Sequence, residues 1–435
     1  MISLAPLHGL LLLVPLAAGG GERSAAPAAE PGSPGGAGLA LRCAKALVCG
    51  ADPGTGQVVN HAVVLVRDGL VERVGRAADT HVPAGYEVLE LGDRWVMPGM
   101  IDLHSHIGGS GGLNDTVYQA NPGLRINNSV VPYNPRLQVC LAAGVTTVLF
   151  IPGSGSNVGG GGVLMKTGFP TYGETVLRET GSLKIAQGDN PRRWGYGMNR
   201  VMMNWVIRDT LRRGTAYAER WRAFEAGEGP EPERDVQFDI FRELTAGRAQ
   251  VSTHTQVPQL VLATLSIIRL EFDLPVFLDH STVGGWKYGA LAQELGVPAI
   301  VGPRSVDSVS RGMINWSQNR VTGFRGVAAG YQQNGHQLIG FNTDAPVIPA
   351  EDLFLQAAMG VRYGLDDSRL ESVRGLTIVP AIAVGMEHRV GSLEAGKDAD
   401  LVVISGHPAD PRSSVDLVYI EGRRVYDTGA EARRY

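Results

Sequence analysis

Cysteine is scarce in this chain, with three residues among 435. The number is odd, and no two of the cysteines form a C-x-x-C pair; they are Cys43, Cys49 and Cys140. This pattern argues against a disulfide framework and against a thiolate zinc site. The spacing alone leaves open a bond between Cys43 and Cys49 in an oxidising compartment.

The chain also lacks a strong excess of charge of either sign. Its formal net charge is −4 at pH 7, so there is no electrostatic reason to expect nucleic acid or an acidic membrane surface as partner. Hydrophobic residues make up 44% and charged residues 19%, the balance of a globular protein. The length is sufficient for a barrel together with a smaller satellite domain.

The N-terminus carries an apolar run over residues 10–18, interrupted by Pro15. The run is too short to cross a bilayer as a helix. It is typical of a secretory signal, although no Lys or Arg precedes it. We therefore predict a signal over 1–19, a flexible linker over 20–40, and export to the periplasm or the exterior. A cytoplasmic location is the alternative, and no stable membrane span is expected.

Strand patterns mark both ends of the chain after the linker. The run 61–69 ends in Asp68-Gly69, a hairpin turn signal. Apolar runs also occupy 399–405 and 417–426 near the C-terminus. This predicts a small β-sandwich built from residues 41–96 and 390–435, with 97–389 inserted between them.

The inserted region alternates apolar strands with helical stretches, as repeated βα units do. Long helices are predicted over 200–224 and 259–272. The candidate strands are 100–104, 145–151, 163–165, 183–186, 251–254, 276–280, 299–301 and 338–341. Eight strands in about 250 residues predict an α/β fold, a (β/α)₈ TIM barrel.

Four histidines lie at the ends of three of these strands, where barrel enzymes place their catalytic groups. His104 and His106 are two residues apart on the first strand, so both imidazoles face the same side and can reach one metal ion. His254 ends the fifth strand and His280 the sixth. A lone histidine is more often structural, but four at three strand ends favour a metal site.

Asp344 follows the eighth strand. A turn or helix-capping aspartate before a proline is its structural alternative. In a metal site it would bind the ion and take a proton from metal-bound water, whose pKa the ion lowers to about 7. It would then pass that proton to a leaving group.

These features resemble the amidohydrolase superfamily, and within it the imidazolonepropionase-like branch. The resemblance covers essentially the whole chain after the linker. It depends on VMPGMIDLHSH at 96–106, on the separate residues His254, His280 and Asp344, and on GSLEAGKDADLVV at 391–403. The last segment is very specific to these enzymes.

The resemblance implies two divalent metal ions, zinc first, with iron, manganese or cobalt as alternatives. His104 and His106 would hold the more buried ion, and His254 and His280 the second. Asp344 would bind metal and serve as general acid/base. The implied reaction is cleavage of an amide, cyclic amide or peptide-like C–N bond in a small-molecule substrate by a metal-bound hydroxide.

Two-metal members of the family also need a bridging anion, usually a carboxylated lysine on the fourth strand. By strand count this is Lys184, whose side chain would face the barrel interior. Lys166, after the third strand, is the rival if the count is off by one, and a solvent-facing lysine is the structural alternative. The glycine-rich stretch 157–162 is interpreted as a loop over the site.

Two further functions stay open at this point. A one-metal deaminase on the same fold is disfavoured, because no acid follows closely after His254. A catalytically inactive barrel that serves as a binding or assembly protein belongs to a different class, but such relatives lose metal ligands that are present here.

His336 is interpreted as structural. The oligomeric state is left open, and a homo-oligomer is one possibility.

Overall fold

A computed structural model describes residues 38–54, 57–192, 199–303, 306–307 and 325–435. The predicted signal over 1–19 and most of the predicted linker lie outside these residues, so both, with export, stay predictions. In the described part, no helix is long and apolar enough to cross a membrane. The described residues belong to one compact unit, Gly36–Tyr435, and the proposed division at 96/97 and 389/390 stays a prediction.

The strands, in chain order, are β1 Leu39–Leu47, β2 Val58–Arg67, β3 Leu70–Arg76, β4 Glu87–Glu90, β5 Trp95–Pro98, β6 Met100–Ser105, β7 Val145–Phe150, β8 Val158–Lys166, β9 Val176–Ala186, β10 Gln250–Thr255, β11 Val276–His280, β12 Ala299–Val301, β13 Val306–Asp307, β14 Arg325–Gly326, β15 Ile339–Phe341, β16 Leu401–Ile404, β17 Val415–Ile420 and β18 Arg423–Asp427. The main helices are α1 Pro135–Ala142, α2 Arg200–Glu225, α3 Ile240–Thr245, α4 Pro258–Thr264, α5 Gly289–Glu294, α6 Val327–Gln333, α7 Leu353–Arg362, α8 Glu371–Leu376 and α9 Ile378–Ala383. Short turns of helix lie at Ile126–Ser129, Tyr172–Thr175, Asp189–Pro191, Gly285–Tyr288 and Ala350–Asp352.

The middle of the chain forms a sheet that almost closes on itself. Within the described residues its eight strands follow the order β6-β7-β8-β9-β10-β11-β12-β15. At the two edges, Ser105 bridges Ala345 in parallel, and the His106 amide donates to the Ala345 carbonyl at 2.8 Å. The eight strands are those predicted from the sequence, and they form the barrel-like sheet that was expected.

One strand, β8, runs against the predicted direction. It is antiparallel to both β7 and β9, whereas the other neighbouring pairs in this sheet are parallel. The prediction of eight repeated βα units is therefore wrong at the third strand. The connection 151–157 is too short for the crossover of a dozen or more residues that parallel strands need.

The glycine-rich stretch is part of β8, so its interpretation as a loop over the site is wrong. The glycines let the segment before α1 lie directly against the strand. The Gly161 amide donates to the Leu124 carbonyl at 2.8 Å. A Cβ at Gly160, whose φ is +101°, would lie 2.7 Å from that same oxygen. A larger side chain would therefore separate the two backbones.

Strands from both chain ends share a second sheet. Among the described residues its path is β18-β17-β16-β5-β1-β2-β3, with β4 paired to β1. The two ends join where β16 runs antiparallel to β5 and Val402 lies opposite Met97. The prediction that both ends build one β structure agrees with this pairing, while its form as a sandwich stays a prediction. Cys43 and Cys49 are buried and free, so the open disulfide alternative does not form.

The two predicted helices are present. The first, α2, extends one residue beyond the predicted end. Its start is capped by the Asn199 side chain, which accepts from the Met202 amide at 2.9 Å. Buried positions such as Met203, Ile207 and Leu211 recur at helical spacing and face the core. The second begins as α4 and continues as a π-helix over Leu265–Glu271.

Candidate metal centre

Parallel strands bring the predicted ligands to one end of the barrel-like sheet. His104 lies near the end of β6, His254 in β10 and His280 at the end of β11. His106 follows β6, and Asp344 follows β15. Because the carboxyl ends of parallel barrel strands share one face, all five side chains come together there.

The ligand atoms form two groups that share His104. Nitrogens of His104, His254 and His280 lie within 4.8 Å of one another, and so do ligand atoms of His104, His106 and Asp344. In the second group, Asp344 Oδ1 lies 3.2 Å from His104 Nε2 and 3.4 Å from His106 Nε2. Imidazole nitrogen and carboxylate oxygen suit zinc, iron, manganese and cobalt. The residues therefore fit divalent metal ions.

The remaining ring nitrogens are held by oxygen acceptors. His106 Nδ1 lies 2.9 Å from the Ile151 carbonyl, and His280 Nδ1 lies 2.8 Å from the Gly302 carbonyl. A carbonyl oxygen only accepts, so each Nδ1 carries the proton and each Nε2 presents its lone pair to the site.

His254 is oriented differently. Its Nδ1 lies 2.8 Å from His280 Nε2 and 2.9 Å from Ser154 Oγ, while its Nε2 is 3.4 Å from Asn190 Nδ2. Two imidazole nitrogens this close require a proton or a cation between them. His254 Nδ1 and His280 Nε2 therefore face one shared position.

Burial favours the neutral form of three of the histidines, and it lowers the pKa of His106 below the ordinary value. It lowers the pKa of His254 well below the ordinary value and lowers the pKa of His280 to about 4. Neutral imidazole is the form that binds metal ions. Burial also acts to lower the pKa of His104, but the charge of Asp279 raises it to about 9.

Asp344 is ionised at neutral pH. Burial opposes its charge, yet the neighbouring His104 and His106 hold the pKa of this carboxyl well below its usual range. Its side chain is 16% exposed, so it faces the open side of the site. Both Asp344 and His280 have positive φ, +52° and +65°, a backbone strain that recurs at functional sites.

Lys184 lies where the strand count places it. It is fully buried in β9, opposite Ser252 of β10, and its Nζ is 3.3 Å from His104 Nε2. Burial lowers the pKa of Lys184 to about 8, although Asp279 and Asp344 oppose this shift. The lysine is thus beside the ligands and has a larger neutral fraction than an exposed lysine.

Lys166 lies at the opposite end of the sheet, because β8 runs antiparallel. It is paired with Thr147 at the start of β7. Its Nζ contacts Asp398 Oδ2 at 3.0 Å and also pairs with Asp400, both in the C-terminal signature. The geometry therefore places this rival lysine away from the predicted ligands.

Two buried carboxylates were missed as site residues. Asp279 accepts from His104 Nδ1 at 2.6 Å. Asp102, quoted within the motif but given no role, accepts from the His104 amide at 3.1 Å and from Thr343 Oγ1. Burial raises the pKa of Asp102 to about 7. The available signal was a charged residue inside an apolar strand, because such a residue is rarely buried unless it is paired.

The fold and the site define a class of protein, an α/β barrel-like protein with metal-ligand side chains clustered at its strand ends. The Amidohydrolase family profile matches residues 323–425. Amidohydrolase tasK of Hapsidospora irregularis is 26% identical over 398 residues, which cover 84% of this chain and 40% of that protein. The imidazolonepropionase of Deinococcus radiodurans is 25% identical over 386 residues, covering 82% and 88%.

A solved structure agrees with these matches. The amidohydrolase from Thermotoga maritima MSB8 superposes with a TM-score of 0.77 and 29% identity, covering 89% of this chain and 100% of that one. Together, the family profile, the curated relatives and this solved structure support assignment to the amidohydrolase superfamily. It spans less than half the length of the Hapsidospora protein.

Proposed function

We propose that this protein is a metal-dependent hydrolase that cleaves a C–N bond in an amide, cyclic amide or peptide-like small molecule. The observation that carries the proposal is the convergence of four histidines and Asp344 at one end of the barrel-like sheet. The names of the relatives support it, since imidazolonepropionase and amidohydrolase both appear among them.

The donor groups divide between two ions in this proposal. His104 and His106 would hold one together with Asp344, and His254 and His280 would hold the other. Divalent ions in such a site make a water molecule more acidic and polarise a carbonyl oxygen. Zinc is our first choice, and iron, manganese and cobalt suit the same donors.

Lys184, once carboxylated, would supply the anion that such a two-ion site requires. Its neutral amine adds to carbon dioxide, an N–C bond forms, and one proton leaves. This change converts a buried positive group into a negative one, which opposes the repulsion between two divalent ions in a low-dielectric site. Support comes from full burial of Lys184 beside His104 and from its pKa of about 8.

Asp344 moves the proton in the reaction. It is ionised, partly exposed and next to both histidines of the first strand, so it can take a proton from the attacking water. It then donates that proton to the departing nitrogen, which leaves as an amine instead of an unstable anion. His104 Nε2 and His106 Nε2 lie 3.2 and 3.4 Å from the same carboxylate oxygen, so Asp344 would be held in place by an ion bound between them.

A hydrolysis screen tests the proposal. Zinc-loaded full chain is incubated with acyl amino acids, dipeptides, cyclic amides and lactones, and a His254→Ala/His280→Ala double variant serves as the control. We expect hydrolysis of a cyclic amide or acyl amino acid by the wild type and loss of it in the control. A metal-loaded wild type that hydrolyses none of the four classes would favour a non-catalytic barrel instead. Ammonia release from an amino-heterocycle with one bound ion would favour the deaminase.

A further inference from the structure

His104 belongs to both ligand groups, so its orientation affects both. Its Nδ1 is 2.6 Å from Asp279 Oδ2, and the side chains of both residues are fully buried. The other carboxylate oxygen, Asp279 Oδ1, accepts from Asn342 Nδ2 at 2.9 Å. Asn342 Nδ2 also donates to the Ile300 carbonyl at 2.7 Å. The carboxylate is therefore held from two sides.

We propose that Asp279 is a positioning residue of the metal centre, which fixes the His104 ring so that Nε2 faces Lys184 and Asp344. The inference rests on the proposed function and concerns a residue that contacts the ring, not the substrate. A carboxylate only accepts, so it requires the proton of His104 to lie on Nδ1. Rotation of the ring would leave a buried carboxylate oxygen without its hydrogen-bond donor, which is strongly unfavourable.

Asp279 and Asn342 are also close in sequence to two other candidate ligands, so the positioning role extends beyond the His104 ring. Asp279 directly precedes His280, and Asn342 lies two residues before Asp344. The hydrogen bonds among His104, Asp279 and Asn342 therefore join β6, β11 and the end of β15, the three places that carry these ligands. Partners of this kind, one contact beyond the metal, usually contribute 10–100-fold to metal affinity.

The test measures zinc affinity of the full chain by competition with a chelator, in wild type, Asp279→Ala and Asp279→Asn. We expect about 10–100-fold weaker binding for the alanine variant. The asparagine variant should lie between alanine and wild type, because its amide oxygen still accepts from Nδ1 but carries no charge. The visible spectrum of cobalt-loaded protein should shift in the same order, because the geometry around the ion changes.

Asp400→Asn is the matched control, since it alters a buried carboxylate that pairs with Lys166 at the other end of the sheet. It should lower thermal stability and leave both zinc affinity and the cobalt spectrum unchanged. Wild-type affinity in both Asp279 variants would overturn the proposal. If the alanine variant does not fold, wild-type affinity and spectrum in Asp279→Asn alone overturn it. If the Asp279 variants lose zinc affinity and the wild type hydrolyses no substrate, the positioning role is retained and the proposed hydrolase activity is rejected.

Discussion

We expect Asp344→Asn to lower the rate of the proposed C–N bond hydrolysis by about 10²–10⁴-fold, the usual contribution of a general acid–base group. Asparagine keeps the size of the side chain and can still offer an oxygen to an ion. It cannot take a proton from water or donate one to the leaving nitrogen. The measurement is kcat/KM on the substrate found in the screen, with metal content determined on the same samples.

Asp273→Asn provides the control for this experiment. Asp273 has a side chain that is 85% exposed and precedes β11, so it lies toward the end of the sheet away from the ligands. Its rate should equal that of the wild type. A rate for Asp344→Asn within a few-fold of wild type, in protein that retains its metal, would show that another group moves the proton.

If the proposed two-metal site is right, we expect Lys184→Ala to reduce the metal content from about two ions per chain to about one, with a large loss of activity, because the bridging anion would be removed. The truncated side chain also leaves space beside His104 Nε2, from which Lys184 Nζ is 3.3 Å away in the wild type. Formate, acetate or propionate should partly restore both metal and activity by supplying a carboxylate to that space. Metal analysis after gel filtration, with and without the acids, measures this.

Lys166→Ala is the matched control, since it truncates the other fully buried lysine. It leaves Asp398 and Asp400 without this partner, and breaking a buried ion pair typically costs 3–5 kcal/mol of stability. The folded fraction should keep its wild-type metal content and should not respond to carboxylic acids. Loss of one ion in Lys166→Ala, with two retained in Lys184→Ala, would reverse the lysine assignment.

The strand ends of the candidate site were predictable because apolar runs and the candidate ligand residues coincide there. Apolar runs of strand length identified the eight strands, and the four predicted histidines and Asp344 stood at or just after the ends of runs. In a barrel, that position alone brings residues as distant as His104 and Asp344 together. The prediction assumed parallel strands, and this assumption is correct for β6, β10, β11 and β15.

Strand direction was the feature that periodicity could not supply. A strand has the same alternation whichever way it runs, so β8 was given the direction of its neighbours. The short connection 151–157 was the available signal, because a parallel crossover needs more chain. The antiparallel direction of β8 places Lys166 beside Asp400, at the opposite end of the sheet from Lys184 and His104.

Hydrogen bonds between distant strands also could not be predicted from the sequence. Asp279 and Asn342 are 63 residues apart, and nothing in either neighbourhood states which histidine the carboxylate contacts. The apolar surroundings of Asp279 in VFLDH did indicate a paired carboxylate. The identity of its partners follows only from how β6, β11 and β15 are arranged in the sheet.

The most direct test of the two-metal account is the metal content of the purified wild-type chain. The protein is expressed with zinc and bicarbonate, freed of loosely bound ions by gel filtration, and analysed by elemental mass spectrometry. The account predicts about two divalent ions per chain, as expected of a two-metal hydrolytic site. A content near zero in folded protein after careful loading would contradict it.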